Sequence, residues 1–268
     1  MPTTIQAALL GVVQGLTEFL PVSSSAHLIL ARLFFGFDGD KFGLAFDVAC
    51  HVGTLIAVLI YFRADIARLL GAVPRLFSRD DPDAHLIWLL IVGTIPAVIA
   101  GLLFKHPIEE HLRTPAIAAA MLAAGALLFF VAEAAGDKRR SEGSLTLGEA
   151  LLIGCAQAVA LVPGVSRSGA TISVAMLLGL RRAEAARFIF LLAIPAILGA
   201  AASEAPKLLK AGLGDTAPLF VIGVVSSAIV GYLAVKYFIR YLGSHSLAVF
   251  AWYRLALAAV TVLWLWRA

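Results

Sequence analysis

The chain has 268 residues, of which 61% are hydrophobic and 14% charged, with a formal net charge of +4. Soluble domains carry about 25% charged residues, so this balance excludes an ordinary soluble protein. The positive charge does not point to nucleic acid, because the basic residues lie in short segments between apolar blocks, where bacterial membrane proteins place them.

The first apolar region, about 4–34, lacks the opening Lys or Arg of a secretory signal and contains Gln14 and Glu18, so it is expected to stay in the mature protein. Pro21 and the run Ser23-Ser24-Ser25 split it into two short helices, which predicts a re-entrant hairpin. Three spans follow, at about 43–62, 84–104 and 114–135, each near the ~20 apolar residues that cross a bilayer as a helix. The region at about 147–182 is split again, at Pro163-Gly164-Val165-Ser166-Arg167-Ser168, and predicts a second hairpin. Three more spans close the chain, at about 186–203, 217–239 and 247–266. The alternating polarity of an outer-membrane barrel is missing. Cys50 and Cys155 sit far apart in apolar segments, which suggests neither a disulfide framework nor a cysteine metal cluster. The predicted fold is therefore all-α: one integral membrane domain, 1–268, with six transmembrane helices plus two re-entrant hairpins.

The two hairpins resemble each other. Gly11-Val12-Val13-Gln14 aligns with Gly154-Cys155-Ala156-Gln157, and Ser23-Ser24-Ser25 with Ser166-Arg167-Ser168, at a constant offset of 143 residues. Repeats of about 1–135 and 145–268 follow. With three spans between them, the hairpins enter from opposite faces, so the topology is inverted, an arrangement that places a binding site near the midplane. The segments 63–85, 136–146, 180–187 and 236–246 hold twelve Lys or Arg, from Arg63, Arg68, Arg75 and Arg79 through Lys138, Arg139 and Arg140 to Arg181, Arg182, Arg187, Lys236 and Arg240. The opposite side holds six, Lys41, Lys105, Arg113, Lys207, Lys210 and Arg267. The positive-inside bias makes the richer side cytoplasmic and leaves both termini outside.

Chemistry concentrates at the hairpin tips. Gln14 and Glu18, four residues apart, share a helix face, and Ser23, Ser24, Ser25 and His27 follow within two turns. Singly, the serines read as helix caps and His27 as a structural hydrogen bonder; together with an intramembrane carboxylate they read as a functional site. At the second tip, Ser166, Arg167 and Ser168 precede a helix N-terminus, and a guanidinium with free backbone N–H groups suits a phosphate. Arg167 could instead form a structural bridge with Glu18. Asp47 and Arg254, of opposite charge within apolar spans, are expected to neutralise each other; a phosphate contact for Arg254 is the competing expectation.

Both tips resemble the signatures of the undecaprenyl-diphosphate phosphatase family, also called the bacitracin-resistance protein family. The carrying stretches are Gln14-Gly15-Leu16-Thr17-Glu18-Phe19-Leu20-Pro21-Val22-Ser23-Ser24-Ser25-Ala26-His27 and Pro163-Gly164-Val165-Ser166-Arg167-Ser168-Gly169-Ala170-Thr171, and the similarity includes Ile95-Pro96-Ala97 and Tyr253-Arg254. The resemblance implies hydrolysis of undecaprenyl diphosphate to undecaprenyl phosphate and inorganic phosphate, which recycles the carrier lipid for peptidoglycan assembly and confers bacitracin resistance. It implies a bacterial plasma-membrane location, a polyprenyl diphosphate substrate among membrane lipids, and a divalent cation, Mg²⁺ or Ca²⁺, near Glu18; a homodimer is left open. It marks Glu18, Ser24, His27, Ser166 and Arg167 as active-site positions, with Ser23, Ser25 and Ser168 beside them. Gln14 stands where many members carry Glu and offers only an amide, and Ala26 replaces the usual Gly. The expected nucleophile is Ser24, with His27 or Glu18 taking its proton; attack by water or by His27 stays open. A lipid transporter is the rival class, because inverted repeats with broken helices are also transporter architecture.

Overall fold

The computed structural model describes residues 2–37, 41–78, 80–211 and 214–267, without the side chains of 204–211 and 215. The lysines at 207 and 210 and the arginine at 79, counted above in the loops, therefore lie outside the described side chains.

Local breakers set the hairpins. Helix α1 (Thr3–Phe19) stops where Leu20 turns extended before Pro21. Helix α2 (Ser24–Phe35) starts on the Ser23 cap and ends on Gly36 in the left-handed region. At 17 residues, α1 is longer than the short arm expected, reaching about 26 Å against a hydrocarbon core of about 30 Å. After α3 (Leu44–Tyr61), the basic segment expected as a loop folds into α4 (Arg63–Ala72), where Asp65 and Arg68 share a face and pair at 3.3 Å. Then come α5 (Pro82–Pro107), capped by Asp81, and α6 (Pro115–Ala135), capped by Thr114. The second hairpin is α7 (Leu147–Val159), which opens on a Thr146–Glu149 capping box, and α8 (Arg167–Leu177), which opens on Ser166. The chain ends with α9 (Arg182–Ala211), α10 (Ala217–Leu242) and α11 (Ala248–Arg267).

Six of these helices, α3, α5, α6, α9, α10 and α11, are long and apolar enough to cross a membrane, and they match the six predicted spans. Their outward faces are apolar too. Leu102 is 79% exposed and Trp252 65%, which is tolerable when lipid rather than water is the solvent. The protein is a multi-pass, all-α membrane protein.

Contacts define two ends. At one, Arg187 pairs with both Asp65 and Glu142, Arg182 pairs with Glu133, and Glu133 accepts the Leu247 N–H at 2.7 Å. Residues from all the basic segments but the last meet there, and the last adjoins Leu247. At the other end, Phe42 and Phe46 at the start of α3 pack with Ala7, Ala31 and Leu219, and Lys105 Nζ donates to Ser203 Oγ at 3.1 Å. Ala7 and Ala31 belong to the open end of the α1–α2 hairpin. The open end of the α7–α8 hairpin is fastened at the ion-paired end, where Arg140 bonds Glu149 at 2.6 and 3.0 Å and the Leu178 carbonyl at 2.8 Å.

Each hairpin leans on a span of the other half: α1 packs most extensively on α10, and α7 on α5. The second contact needs glycine. A Cβ on Gly154 would lie 3.0 Å from both the Gly93 carbonyl carbon and Pro96 Cδ, so the small side allows the backbones to close up.

Candidate active site

The two tips have the same backbone. Ser23 has φ 72° and Ser166 φ 75°, a region that costs a non-glycine residue about 1–3 kcal/mol. Each serine caps its helix, Ser23 Oγ accepting from the Ala26 N–H at 3.4 Å and Ser166 Oγ from the Gly169 N–H at 3.1 Å. Each hydroxyl also meets the serine two residues on, Ser25 at 3.2 Å and Ser168 at 3.3 Å. Ser23, Ser25, Ser166 and Ser168 thus shape the tips first of all.

The tips touch. Ser168 Oγ donates to the Leu20 carbonyl at 3.2 Å, and Arg167 forms an ion pair with Glu18 across the junction. Around Glu18 the structure gathers Ser24, whose Oγ donates to Oε2 at 2.7 Å, and Gln14, whose Nε2 donates to the same oxygen at 2.8 Å. Glu18 is 7% exposed, so its charge is held by named donors rather than by water. Glu18, Ser24, Arg167, Ser23, Ser25 and Ser166 line a cavity of about 600 Å³ that runs along α5 and α9. Gln14, His27 and Ser168 are not among its described lining residues.

His27 is turned elsewhere. Its Nδ1 is 2.8 Å from the Ser23 carbonyl and its Nε2 2.7 Å from Tyr253 Oη. A carbonyl accepts only, so Nδ1 carries the proton and Nε2 accepts from the tyrosine. Neither nitrogen serves Ser24. The group next to Glu18 is instead His51, a residue that lies outside both tip motifs and that sequence reasoning misses. Its Nε2 lies 3.3 Å from Glu18 Oε2, and its Nδ1 donates to the Asp47 carbonyl at 2.7 Å. Its signal in the sequence is an imidazole four residues after Asp47 inside an apolar span.

The expected Asp47–Arg254 pair does not form. Asp47 is bound by Arg32 and by Arg113, the latter at 3.1 Å, because it sits near the start of α3 beside the end of α2. Arg254, fully buried, spends its guanidinium on five carbonyl oxygens: Pro21 of the first tip at 3.2 Å, Gly164 and Val165 of the second at 2.8 and 3.1 Å, and Met121 and Leu122 of α6 at 3.0 and 3.1 Å. Gly125 gives it room, since a Cβ there would overlap the guanidinium. With every nitrogen engaged by a carbonyl, Arg254 is a clamp on the tips.

The profile of the family described as bacitracin resistance protein BacA matches residues 7–260. The chain belongs to that family. Proteins named undecaprenyl-diphosphatase are similar over almost their whole length: that of Rubrobacter xylanophilus is 50% identical over 96% of each chain. That of Trichlorobacter lovleyi is 45% identical over 94% of this chain and 93% of its own, and that of Moorella thermoacetica 44% identical over 99% and 100%.

Among the described residues, no group of three or more His, Cys, Asp or Glu is placed to hold a metal ion. Glu18 offers one carboxylate, and beside it Gln14 Oε1 is buried without a partner. That donor set is too small for an all-protein cage but suits a hard cation whose other ligands are phosphate oxygens and water.

Proposed function

We propose that the hydrolysis of undecaprenyl diphosphate, the activity of this family, takes place where the two tips meet, with Ser24 as nucleophile and Glu18 as its base. The chain is an undecaprenyl-diphosphatase; it releases phosphate from the carrier lipid, and bacitracin resistance follows from that activity. The observation that carries the site is the 2.7 Å hydrogen bond from Ser24 Oγ to Glu18 Oε2, inside a cavity that Arg167 shares.

The diphosphate enters with its charge toward Arg167 and the N-terminus of α8, whose first backbone N–H groups favour an anion. The guanidinium turns from Glu18 to the phosphate, which it can grip through two parallel bonds. Glu18, released from its ion pair, accepts the Ser24 proton as Oγ attacks the terminal phosphorus. The Ser24 O–P bond forms, the bridging P–O bond breaks, and undecaprenyl phosphate leaves. The proton held by Glu18 leaves with the undecaprenyl phosphate; water then attacks the phosphoserine, Glu18 takes its proton and returns it to Ser24 Oγ as that O–P bond breaks, and inorganic phosphate departs. His51 holds Glu18 at the same carboxylate oxygen that Ser24 meets; donation from Nε2 requires the doubly protonated ring, because Nδ1 is already bonded to a carbonyl. His27 and Tyr253 fix the turn that presents Ser24. Glu18 and Gln14 Oε1 would hold Mg²⁺ or Ca²⁺ together with the substrate, and the ion's charge would offset that of the diphosphate.

The prenyl tail has a path. The cavity adjoins, at Val98, an apolar groove of about 510 Å³ between α4, α5 and α9. The matched tips, and hairpins that open at opposite ends, support reading 1–135 and 145–268 as inverted repeats with re-entrant hairpins. The meeting of the basic segments at one end supports a cytoplasmic assignment for it, with both termini outside.

The test is phosphate release by the purified protein in detergent from prenyl diphosphates of several lengths, with and without chelator. One phosphate per lipid is expected, falling when the cation is removed and absent in Ser24→Ala. No release, with lipid movement in proteoliposomes, would support a transporter instead.

A further inference from the structure

Gln157 occupies on α7 the place that Gln14 occupies on α1, 143 residues earlier. The two amides have different surroundings. Gln14 gives its Nε2 to Glu18, one turn further along α1. At the matching position after Gln157 the chain carries Leu161, which can accept nothing. Gln157 Nε2 and Oε1 are accordingly both buried with no hydrogen-bond partner.

Its location gives this absence a meaning. Gln157 is 2% exposed, yet it contributes to the wall of the cavity that holds Glu18, Ser24 and Arg167. A buried polar group without a partner destabilises the fold, and an amide has two such atoms. A wall that only had to pack would be better built from Leu or Met at this position, as Leu161 is one turn later. The amide is therefore paired when the cavity is filled, and the filling group must accept from Nε2 and donate to Oε1.

We infer that Gln157 is a substrate-binding residue: its Nε2 donates to a non-bridging oxygen of the diphosphate held by Arg167, and its Oε1 accepts from the water that accompanies the headgroup. The inference rests on the diphosphate occupying this cavity. The division of labour is chemical. Arg167 supplies charge, which any phosphate oxygen can use, whereas a neutral amide adds direction without adding charge and so fixes which oxygens face Ser24. Leu161 belongs to the same device, because a carboxylate there would capture the amide as Glu18 captures Gln14 and would repel the phosphate.

The test compares wild type with Gln157→Met, an unbranched apolar replacement, using the full-length protein in detergent. Melting temperature is measured without substrate, and kcat and KM with undecaprenyl diphosphate. Wild-type phosphate release checks the underlying assignment of the cavity; without it, that assignment fails before Gln157 is addressed. With it, Gln157→Met is expected to lose about tenfold or more in kcat/KM with a melting temperature equal to or above wild type, since an unpaired amide has been removed. A kcat/KM within twofold of wild type overturns the inference. So does a fall in melting temperature that accompanies the loss, which would mean that the amide serves the fold. Gln157→Leu repeats the comparison with a second shape, and failure of both variants to fold overturns the inference as well.

Discussion

The two hairpin tips share a backbone and differ in chemistry. Ser23 and Ser166 have nearly the same φ, cap their helices alike, and pair with the serine two residues on. At the register positions between and before these caps the halves diverge: Glu18 answers to Leu161, and Ser24 to Arg167. Those unlike residues are the ones that meet, Glu18 with Ser24 on its own tip and with Arg167 on the other. The two tips bring strained turns to one place, and in the proposed mechanism the reaction depends on the residues in which they differ.

Removing the difference should remove the activity. Glu18→Leu makes the first tip a copy of the second at this position, and phosphate release is expected to fall about 10³-fold; a variant retaining a tenth of wild-type kcat would mean that Glu18 is not the base. Separating the tips should be nearly as harmful, but to the fold. Arg254→Met leaves the carbonyls of Pro21, Gly164 and Val165 without their shared donor, at a cost of about 3–5 kcal/mol, to be read as a large drop in melting temperature. An unchanged melting temperature would show that the tips hold together without the clamp.

Subtler changes sharpen the comparison. Arg167→Lys keeps the charge but loses the two-pronged grip, and about a 10²-fold loss in kcat/KM is expected while the melting temperature stays near wild type. His51→Gln should cost about tenfold, in kcat rather than KM, because His51 holds the base and not the lipid. A change confined to KM would place the imidazole against the substrate instead.

What the sequence made legible follows from the range of the interactions involved. The six spans are local facts of hydropathy, and the hairpin breaks are local facts of Pro21, Ser23, Pro163 and Ser166. Gln14, Glu18 and Ser24 lie within about three turns, so their grouping could also be read. The contacts made by helix packing could not. His27 meets Tyr253 across 226 positions, and Asp47 selects Arg32 and Arg113 rather than the Arg254 that charge alone suggested. Arg254 looked like a charge in search of a countercharge; burial among turn carbonyls supplied acceptors that no residue pattern displays. Gln157 was visible only as the mate of Gln14, and its lack of a partner became apparent once the cavity wall was in place.

The central claim is that Glu18 and Arg167, from opposite tips, act as one catalytic unit. A double-mutant cycle on kcat/KM for phosphate release, with Glu18→Gln, Arg167→Lys and the pair together, tests it most directly. If the residues work on the same phosphoryl group, the double variant should be little worse than the poorer single one, because the second change removes what the first has already disabled. Losses that multiply, with the double variant down by the product of the two single factors, would place Glu18 and Arg167 in independent roles and contradict the shared site.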